Sequence, residues 1–277
     1  SSLYMGGMMG LQRQVQFNII RSFFVGLQHF GALIILLFFS KSILIFFIWQ
    51  SIISGLNTVV LHYFLWSILN KSYKGSKAKY NQSLLKKNFS FAAGVTGISF
   101  ETIILTQMDK VILTKMLPLE LFGYYIIAFN IADKLNNLVT PIVNALFPRF
   151  TQSISLNTIK PLIDLYHSAS QLITLVVLPS ALTIAFFSKE ILYIWLSDIE
   201  VANNSYLLLS LLVVGTATST LIALPYSIQL ASGKTKLVFI SNLVAISFLV
   251  PIMIFLTLKI QALGAALSWF LLNIFYL

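Results

Sequence analysis

Uninterrupted apolar runs about as long as a membrane is thick recur along this chain, and they limit its possible folds more than any other feature. Examples lie in residues 22–40, with "GALIILLFF", and in residues 43–69, with "ILIFFIW". About 20 apolar residues form a helix that crosses the hydrocarbon core. Strands of a membrane β-barrel would alternate in polarity, and these runs do not. With 58% hydrophobic and 9% charged residues, the chain cannot cover a water-exposed surface. The sequence therefore predicts an all-α polytopic membrane protein.

Eight membrane spans are predicted. They are residues 22–40, 43–69, 89–116, 121–148, 169–188, 205–230, 237–257 and 263–277, the last of which we expect to be truncated. The longest predicted loop, 70–88, carries six lysines and no acidic residue, so the positive-inside rule places it in the cytoplasm. Alternation from that loop puts 12 of the 18 cationic residues in inner loops and four in outer loops. The net charge of +10 is then explained without a nucleic-acid partner.

One predicted span carries a polar stripe. Within "NIADKLNNLVTPIVNALFPRF", residues 130–150, a rotation of about 100° per residue collects most of the polar side chains in one arc of roughly 120°. The members are Asn130, Asp133, Lys134, Asn137, Thr140, Pro141 and Asn144, whereas Asn136 is expected to point elsewhere. Asp133 lies about 15 Å into the span, near the bilayer midplane. A charge at that depth costs about 2.5–3.5 kcal/mol on insertion scales.

The preceding predicted span, 89–116, adds Glu101, Asp109 and Lys110. Neighbours in sequence diverge by about 100° on a helix, so pairing across helices is expected rather than pairing between Asp109 and Lys110. One interpretation is that ion pairs and amide hydrogen bonds join the two helices. The other is that the five ionisable side chains and the asparagines line a hydrated translocation pathway, and this is the hypothesis we prefer.

The sequence gives little support for a metal site, a catalytic site or a cofactor site. Cysteine is absent, which excludes thiolate metal sites in this chain. His29, His62 and His167 stand alone, without a second ligand at metal-binding spacing. No nucleophile motif, phosphate loop or dinucleotide fingerprint occurs. We therefore predict a protein that is not an enzyme and has no cofactor, catalytic residue or metal site.

Several segments resemble the Wzx-type O-antigen flippases, polysaccharide exporters that share the fold of multidrug-and-toxin-extrusion (MATE) transporters. The segments are "GLQRQVQFNIIRS" (10–22), "MDKVILTKMLPLELFGYYIIAFNIADKL" (108–135), "VTPIVNALFPRFTQ" (139–152) and "SIQLASGKTKLV" (227–238). The resemblance implies a two-lobe, MATE-like helical bundle of about twelve spans, of which this chain would be a fragment. Residues 1–69 would hold the last helices of the N-terminal lobe. Residues 70–88 would be the cytoplasmic inter-lobe linker, and residues 89–277 the six-helix C-terminal lobe.

The resemblance also implies a function. A protein of this family would move undecaprenyl-pyrophosphate-linked O-antigen repeat units across the bacterial inner membrane by alternating access. Its partners would be the lipid-linked oligosaccharide and membrane lipids, with an O-antigen polymerase and a chain-length regulator as further candidates. Cations suit a pyrophosphate and asparagines suit sugar hydroxyls. The candidate translocation residues are Lys134, Asp133, Asn130, Asn137, Asn144, Lys110, Asp109, Glu101, Arg13, Arg21 and Arg149. The three arginines also fit simple anchoring at the cytoplasmic surface.

Two alternatives remain open. A multidrug or cation exporter of the same fold would be expected to have a cavity of carboxylates and aromatic rings, which Lys110 and Lys134 do not favour. A membrane glycan polymerase would be expected to have a large outer loop with arginines or histidines. The predicted outer loop 189–204 contains neither residue type.

Overall fold

The computed structural model describes residues 2–38, 42–72 and 81–277, and every regular element within them is an α-helix. This confirms the all-α fold class. The eleven helices in these ranges are α1 (Ser2–Gly10), α2 (Gln14–Phe38), α3 (Ile43–Ser72), α4 (Gln82–Met116), α5 (Leu119–Ala132), α6 (Lys134–Ser155), α7 (Ile159–Phe186), α8 (Ser188–Leu196), α9 (Ile199–Ala231), α10 (Thr235–Ile260) and α11 (Ala262–Phe275).

Five described helices are long and apolar enough to cross a membrane. They correspond to five of the predicted spans and are Gln14–Phe38, Ile43–Asn70, Ile159–Phe186, Ile199–Ala231 and Thr235–Ile260. The other three predicted spans correspond to α4, to α5 together with α6, and to α11. Helix α4 carries buried charges, while α5 and α11 have only 14 residues each. A polytopic membrane protein is therefore supported, and the count of eight spans stays a prediction.

The chain divides into two compact units, Ser1–Tyr80 and Asn81–Leu277. In the first unit, α2 and α3 pack side by side and α1 contacts both. Its small apolar core contains Met8, Phe17, Leu61 and Leu65. Polar contacts supplement this core. The His62 Nδ1 atom lies 3.1 Å from the Tyr4 hydroxyl, and the Trp49 indole donates to the Gln28 carbonyl.

Helix α9 is the centre of the second unit, because it packs against α5, α6, α7, α8 and α11. Helix α10 packs mainly against α4 and α11. Many of the outward-facing side chains are apolar, including Leu175, Phe186 and Ile194, each more than 70% exposed. Such a surface is suited to lipid rather than water.

Two glycines permit close helix contacts in the second unit. A Cβ atom at Gly215 of α9 would lie 2.9 Å from the Trp269 ring and 3.1 Å from the Phe270 backbone of α11. A Cβ atom at Gly264 of α11 would collide with the backbone of Leu256 and Thr257 in the last turns of α10. Small residues allow helices to approach closely in membranes, and these two glycines fix α11 against both of its neighbours.

Several helices extend beyond the predicted spans. Helix α3 continues to Ser72 and α4 begins at Gln82, so part of the predicted loop 70–88 is helical. Residues 73–80 of that loop lie outside the described residues, and its role as an inter-lobe linker stays a prediction. The predicted outer loop 189–204 contains most of α8 and the start of α9. Asp198 caps α9 by accepting hydrogen bonds from the Glu200 and Val201 N–H groups.

The predicted topology can be tested with single cysteines in the full-length protein, after removal of any cysteine that lies outside this cysteine-free sequence. Asn203→Cys, on the predicted outer side, is expected to react with a membrane-impermeant thiol reagent in intact spheroplasts. Lys79→Cys and Gln152→Cys are expected to react only after the membrane is permeabilised. Labelling of Lys79→Cys from outside would contradict the predicted orientation.

Candidate functional site: a polar face on the second unit

The predicted polar stripe forms one face of α5 and α6. We call Asn130, Asp133, Lys134, Asn137, Thr140, Pro141 and Asn144 the polar face. All are exposed in the second unit except Asp133, which is half-buried. The opposite side of the same helices is buried against the core, and it includes Ile131, Ala132, Leu135 and Val139. The structure thus places together the candidates Asn130, Asp133, Lys134, Asn137 and Asn144.

A local irregularity at Asp133 separates α5 from α6. The Asp133 N–H donates to the Phe129 carbonyl, while the Asn136 N–H donates to the Asp133 carbonyl at 3.0 Å, a tighter spacing of three residues. The Asn136 side-chain amide also donates to Asp133 Oδ1 at 2.9 Å. The expectation that Asn136 points elsewhere is therefore wrong, because this bond turns its amide toward the face. It leaves one carboxylate oxygen of Asp133 for another ligand.

Lys134, the first residue of α6, is exposed on the polar face. Among the side chains that the structure describes, there is a single salt bridge, between Lys110 and Asp109, so Lys134 has no ion-pair partner among them. Lysine ammonium groups carry three donors and are strongly hydrated. Lys134 is therefore positioned to bind an anion that reaches this face.

Asp109, Lys110, Tyr125 and Phe129 form a second group, the α4–α5 cluster. The Lys110 Nζ atom lies 3.2 Å from both Asp109 oxygens and donates to the Thr106 carbonyl. It also lies 3.6 Å from the centroid of the Phe129 ring. Pairing between Asp109 and Lys110 was predicted to be poor, and for this pair the prediction is wrong. The lysine side chain is long enough to bend toward its neighbour despite the 100° between their Cα–Cβ directions.

Asp109 also joins the two helices of this cluster. The Tyr125 hydroxyl donates to Asp109 Oδ2 at 2.7 Å, and both residues are buried. Buried carboxylates need such donors. The cluster therefore fixes α4 against α5, and it leaves Lys110 with less freedom than Lys134 to bind a substrate.

The remaining candidates lie elsewhere. Glu101 is buried on α4 and faces Asn242 of α10. Tyr226 and Tyr276 are close enough to interact electrostatically with its carboxylate. Arg13 and Arg21 belong to the first unit and are exposed. Arg149 is exposed near the end of α6, about 140° around the helix from Asn144. These positions are consistent with either role considered for the arginines.

Some residues of these groups were missed by the sequence reasoning. The i, i+4 spacing of Tyr125 and Phe129 could have indicated a shared helix face, but their contact with Asp109 and Lys110 could not be inferred from it. Asn242, Tyr226 and Tyr276 gave no signal, because only the fold brings them to Glu101. Within the described residues, no group of three His, Asp or Glu side chains is arranged to hold a metal ion.

Comparisons with known proteins identify the family of this chain. The family described as "Polysaccharide biosynthesis protein" matches residues 3–154, more than half of the chain. The chain belongs to this family. A protein of Shigella flexneri named "Putative O-antigen transporter" is 26% identical over 190 residues, which cover 66% of this chain and 43% of the relative. The chain thus spans less than half the length of this relative. No solved structure matches it significantly.

Proposed function

We propose that the full-length protein moves lipid-linked polysaccharide repeat units across the bacterial inner membrane, and that the polar face of α5 and α6 lines the route. The observation that carries this proposal is the exposed, unpaired Lys134 among asparagines on an otherwise apolar helix surface. The polysaccharide biosynthesis family and the O-antigen transporter relative support the same class of substrate.

The energetics favour a polar environment for this face. A lysine at the helix centre costs about 2.5–3.5 kcal/mol on insertion scales, so contact between Lys134 and lipid tails would be unfavourable. Water or a polar ligand at the face removes most of this cost. Apolar side chains surround the polar face on α6, including the exposed Leu138. The polar side chains are therefore concentrated at one place, as a route for a polar headgroup requires.

The chemistry of the face suits a lipid-linked sugar. The asparagine amides offer donors and acceptors to sugar hydroxyls, and Lys134 supplies a cation for the pyrophosphate of an undecaprenyl-linked substrate. Asp133 next to this lysine limits the net positive charge, so that the anion can leave after it has crossed. In alternating access, the face would open to the two sides of the membrane in turn. No bond is made or broken in this step, so the proposed protein is a transporter and not an enzyme.

The proposal can be tested by deleting the full-length gene in its native host and restoring it on a plasmid. We expect the deletion to remove surface polysaccharide, while lipid-linked repeat units accumulate in membrane extracts. Restoration should reverse both effects. The measurements are gel electrophoresis of lipopolysaccharide and mass spectrometry of the extracted lipids.

Other outcomes would contradict the proposal. If single repeat units still reached the surface while long chains were lost, the protein would act in polymerisation. If surface polysaccharide were unchanged and susceptibility to cationic drugs rose, a multidrug exporter would be indicated. The S. flexneri relative's name would then describe a different activity from that of this protein.

A further inference from the structure

An apolar groove lies between the start of α7 and the end of α9. We call it the α7–α9 groove. Its volume is about 440 Å³, and its lining residues are Leu162, Ile163, Tyr166, His167, Pro225 and Ile228. Both helices are long and apolar enough to cross a membrane. Because Ile163 and His167 are exposed, the groove lies on the surface of the second unit, where lipid is the expected neighbour.

A lysine lies beside one end of this groove on α7. Lys160 belongs to the first turn of the helix and is exposed. It precedes Ile163 by three residues and His167 by seven, and such spacings place side chains on one face of a helix. The Lys160 ammonium therefore lies on the groove side of α7, at the end of the helix.

The turn after α9 brings further lysines to the same end. The Lys234 N–H donates to the Gln229 carbonyl at 3.1 Å, which folds Lys234 back toward the last turn of α9, next to Ile228 of the groove. Lys236 follows in the first turn of α10. We call Lys160, Lys234 and Lys236 the basic rim, and all three are exposed.

The basic rim has a net positive charge. Residues 155–169 and 225–240 contain one acidic residue, Asp164, so three lysines and one aspartate leave two positive charges. Asp164 lies four residues after Lys160, but among the described side chains the two form no salt bridge. The positive-inside rule assigns this end of α7 and α9 to the cytoplasm. The cytoplasmic leaflet exposes anionic headgroups, to which lysines near the surface are attracted.

We propose that the α7–α9 groove binds an anionic phospholipid of the cytoplasmic leaflet, such as phosphatidylglycerol. One acyl chain lies in the groove against Leu162, Pro225 and Ile228. The phosphate lies at the basic rim and accepts charge-assisted hydrogen bonds from the ammonium groups. The His167 imidazole supplies an N–H donor for a phosphate or ester oxygen. The headgroup then lies at the helix ends and the chain points toward the midplane, as in the leaflet itself.

The charge of the rim selects among lipids of the same leaflet. A choline headgroup carries a cation beside its phosphate, so its net charge is zero and the rim gains little from it. The lining residues of the groove belong to α7 and α9, and none belongs to the polar face of α5 and α6. The bound phospholipid is therefore distinct from the transported substrate, and this assignment does not depend on the proposed function.

Lipid binding to the purified full-length protein tests the proposal. Native mass spectrometry would compare retention of phosphatidylglycerol and phosphatidylcholine with matched acyl chains, and of undecaprenyl phosphate. We expect phosphatidylglycerol to bind about tenfold more tightly than phosphatidylcholine, since each lysine near the headgroup contributes to the attraction. Equal retention of these two lipids by the unmodified protein would overturn the proposal.

Variants of the basic rim test the selection for charge. Lys160→Gln combined with Lys234→Gln leaves Lys236 against Asp164, with no net charge, and should remove the preference for phosphatidylglycerol. The matched control combines Lys189→Gln with Lys259→Gln, which change exposed lysines in other parts of the second unit, and should leave the preference intact. Equal losses in the two double variants would show a non-specific effect of charge and would contradict the assignment to this groove.

A second pair of variants tests the groove itself with the basic rim unchanged. Ile163→Trp fills the groove from an exposed position and should weaken retention of phosphatidylglycerol about tenfold, because the acyl chain loses apolar contact. Leu175→Trp, at an exposed position of α7 outside the groove, should not. Normal retention of phosphatidylglycerol by Ile163→Trp would overturn the proposal. If that variant lost only undecaprenyl phosphate, the groove would belong to the isoprenoid lipid instead.

Discussion

Lys134→Ala is expected to reduce surface O-antigen at least about tenfold, the loss that corresponds to one charge-assisted hydrogen bond to the substrate. The protein should still accumulate in the membrane at its normal level. The reason is that Lys134 is exposed on the polar face and has no ion-pair partner within the described residues. Removing it therefore leaves no buried charge unpaired. Lipopolysaccharide electrophoresis and quantitative immunoblots of membranes would provide the two measurements.

Two further variants separate charge from a general effect of substitution. Lys134→Arg should retain partial function, because the charge persists while its geometry differs. Lys259→Ala removes an exposed lysine at the end of α10 and should leave surface O-antigen unchanged. If Lys134→Ala reached the membrane normally and exported normally, the polar face would not be the substrate route. If its level fell in proportion to its activity, the lysine would serve the fold.

The position of the polar face could be predicted from the sequence because it depends only on helical periodicity. Asn130, Lys134, Asn137 and Asn144 recur at spacings of three, four and seven residues. Such spacings place side chains on one side of any helix. The local irregularity at Asp133 does not disturb this arrangement, since the backbone remains helical on both sides of it. Its bond with Asn136 depends on that irregularity, and periodicity alone could not indicate it.

Interactions that depend on side-chain conformation or on distant segments could not be predicted in this way. The Lys110 ammonium reaches Asp109 because four methylene groups can bend across the helix surface, whereas the prediction considered only the directions of the Cα–Cβ bonds. The surroundings of Glu101 come from Tyr226, Asn242 and Tyr276, more than 120 residues later in the chain. Only the packing of α4 against α10 brings Asn242 to the carboxylate.

The boundaries of the helices could not be predicted from hydropathy either. The apolar run of a span ends where side chains meet water or headgroups, but the backbone hydrogen bonds continue into polar sequence. Helix α4 therefore begins at Gln82 and α7 at Ile159, seven and ten residues before the predicted spans.

Lys110 and Lys134 are thus expected to differ in their roles. Lys110 is held by Asp109, by the Thr106 carbonyl and by the Phe129 ring, so its interactions stabilise the protein itself. Lys134 has no ion-pair partner in the described ranges and is available to a ligand. Loss of export with normal protein levels should follow substitution of Lys134. Loss of the protein itself should follow disruption of the pair formed by Lys110.

Asp109→Asn is therefore expected to destabilise the protein by about 3 kcal/mol, the lower end of the range for breaking a buried ion pair, because Lys110 remains 21% exposed. The asparagine can still accept from Tyr125, so the loss reports mainly the unpaired ammonium. Adding Lys110→Met should recover most of the stability, since no buried charge then remains.

Tyr125→Phe should cost only about 1–3 kcal/mol of stability, the range for a lost hydrogen bond. Asp164→Asn, at an exposed position of α7, should cost nothing. Thermal midpoints and membrane abundance of the full-length variants would measure these differences. If the double variant were less stable than Asp109→Asn alone, Lys110 would stabilise the fold through the Thr106 carbonyl and the Phe129 ring rather than through the ion pair.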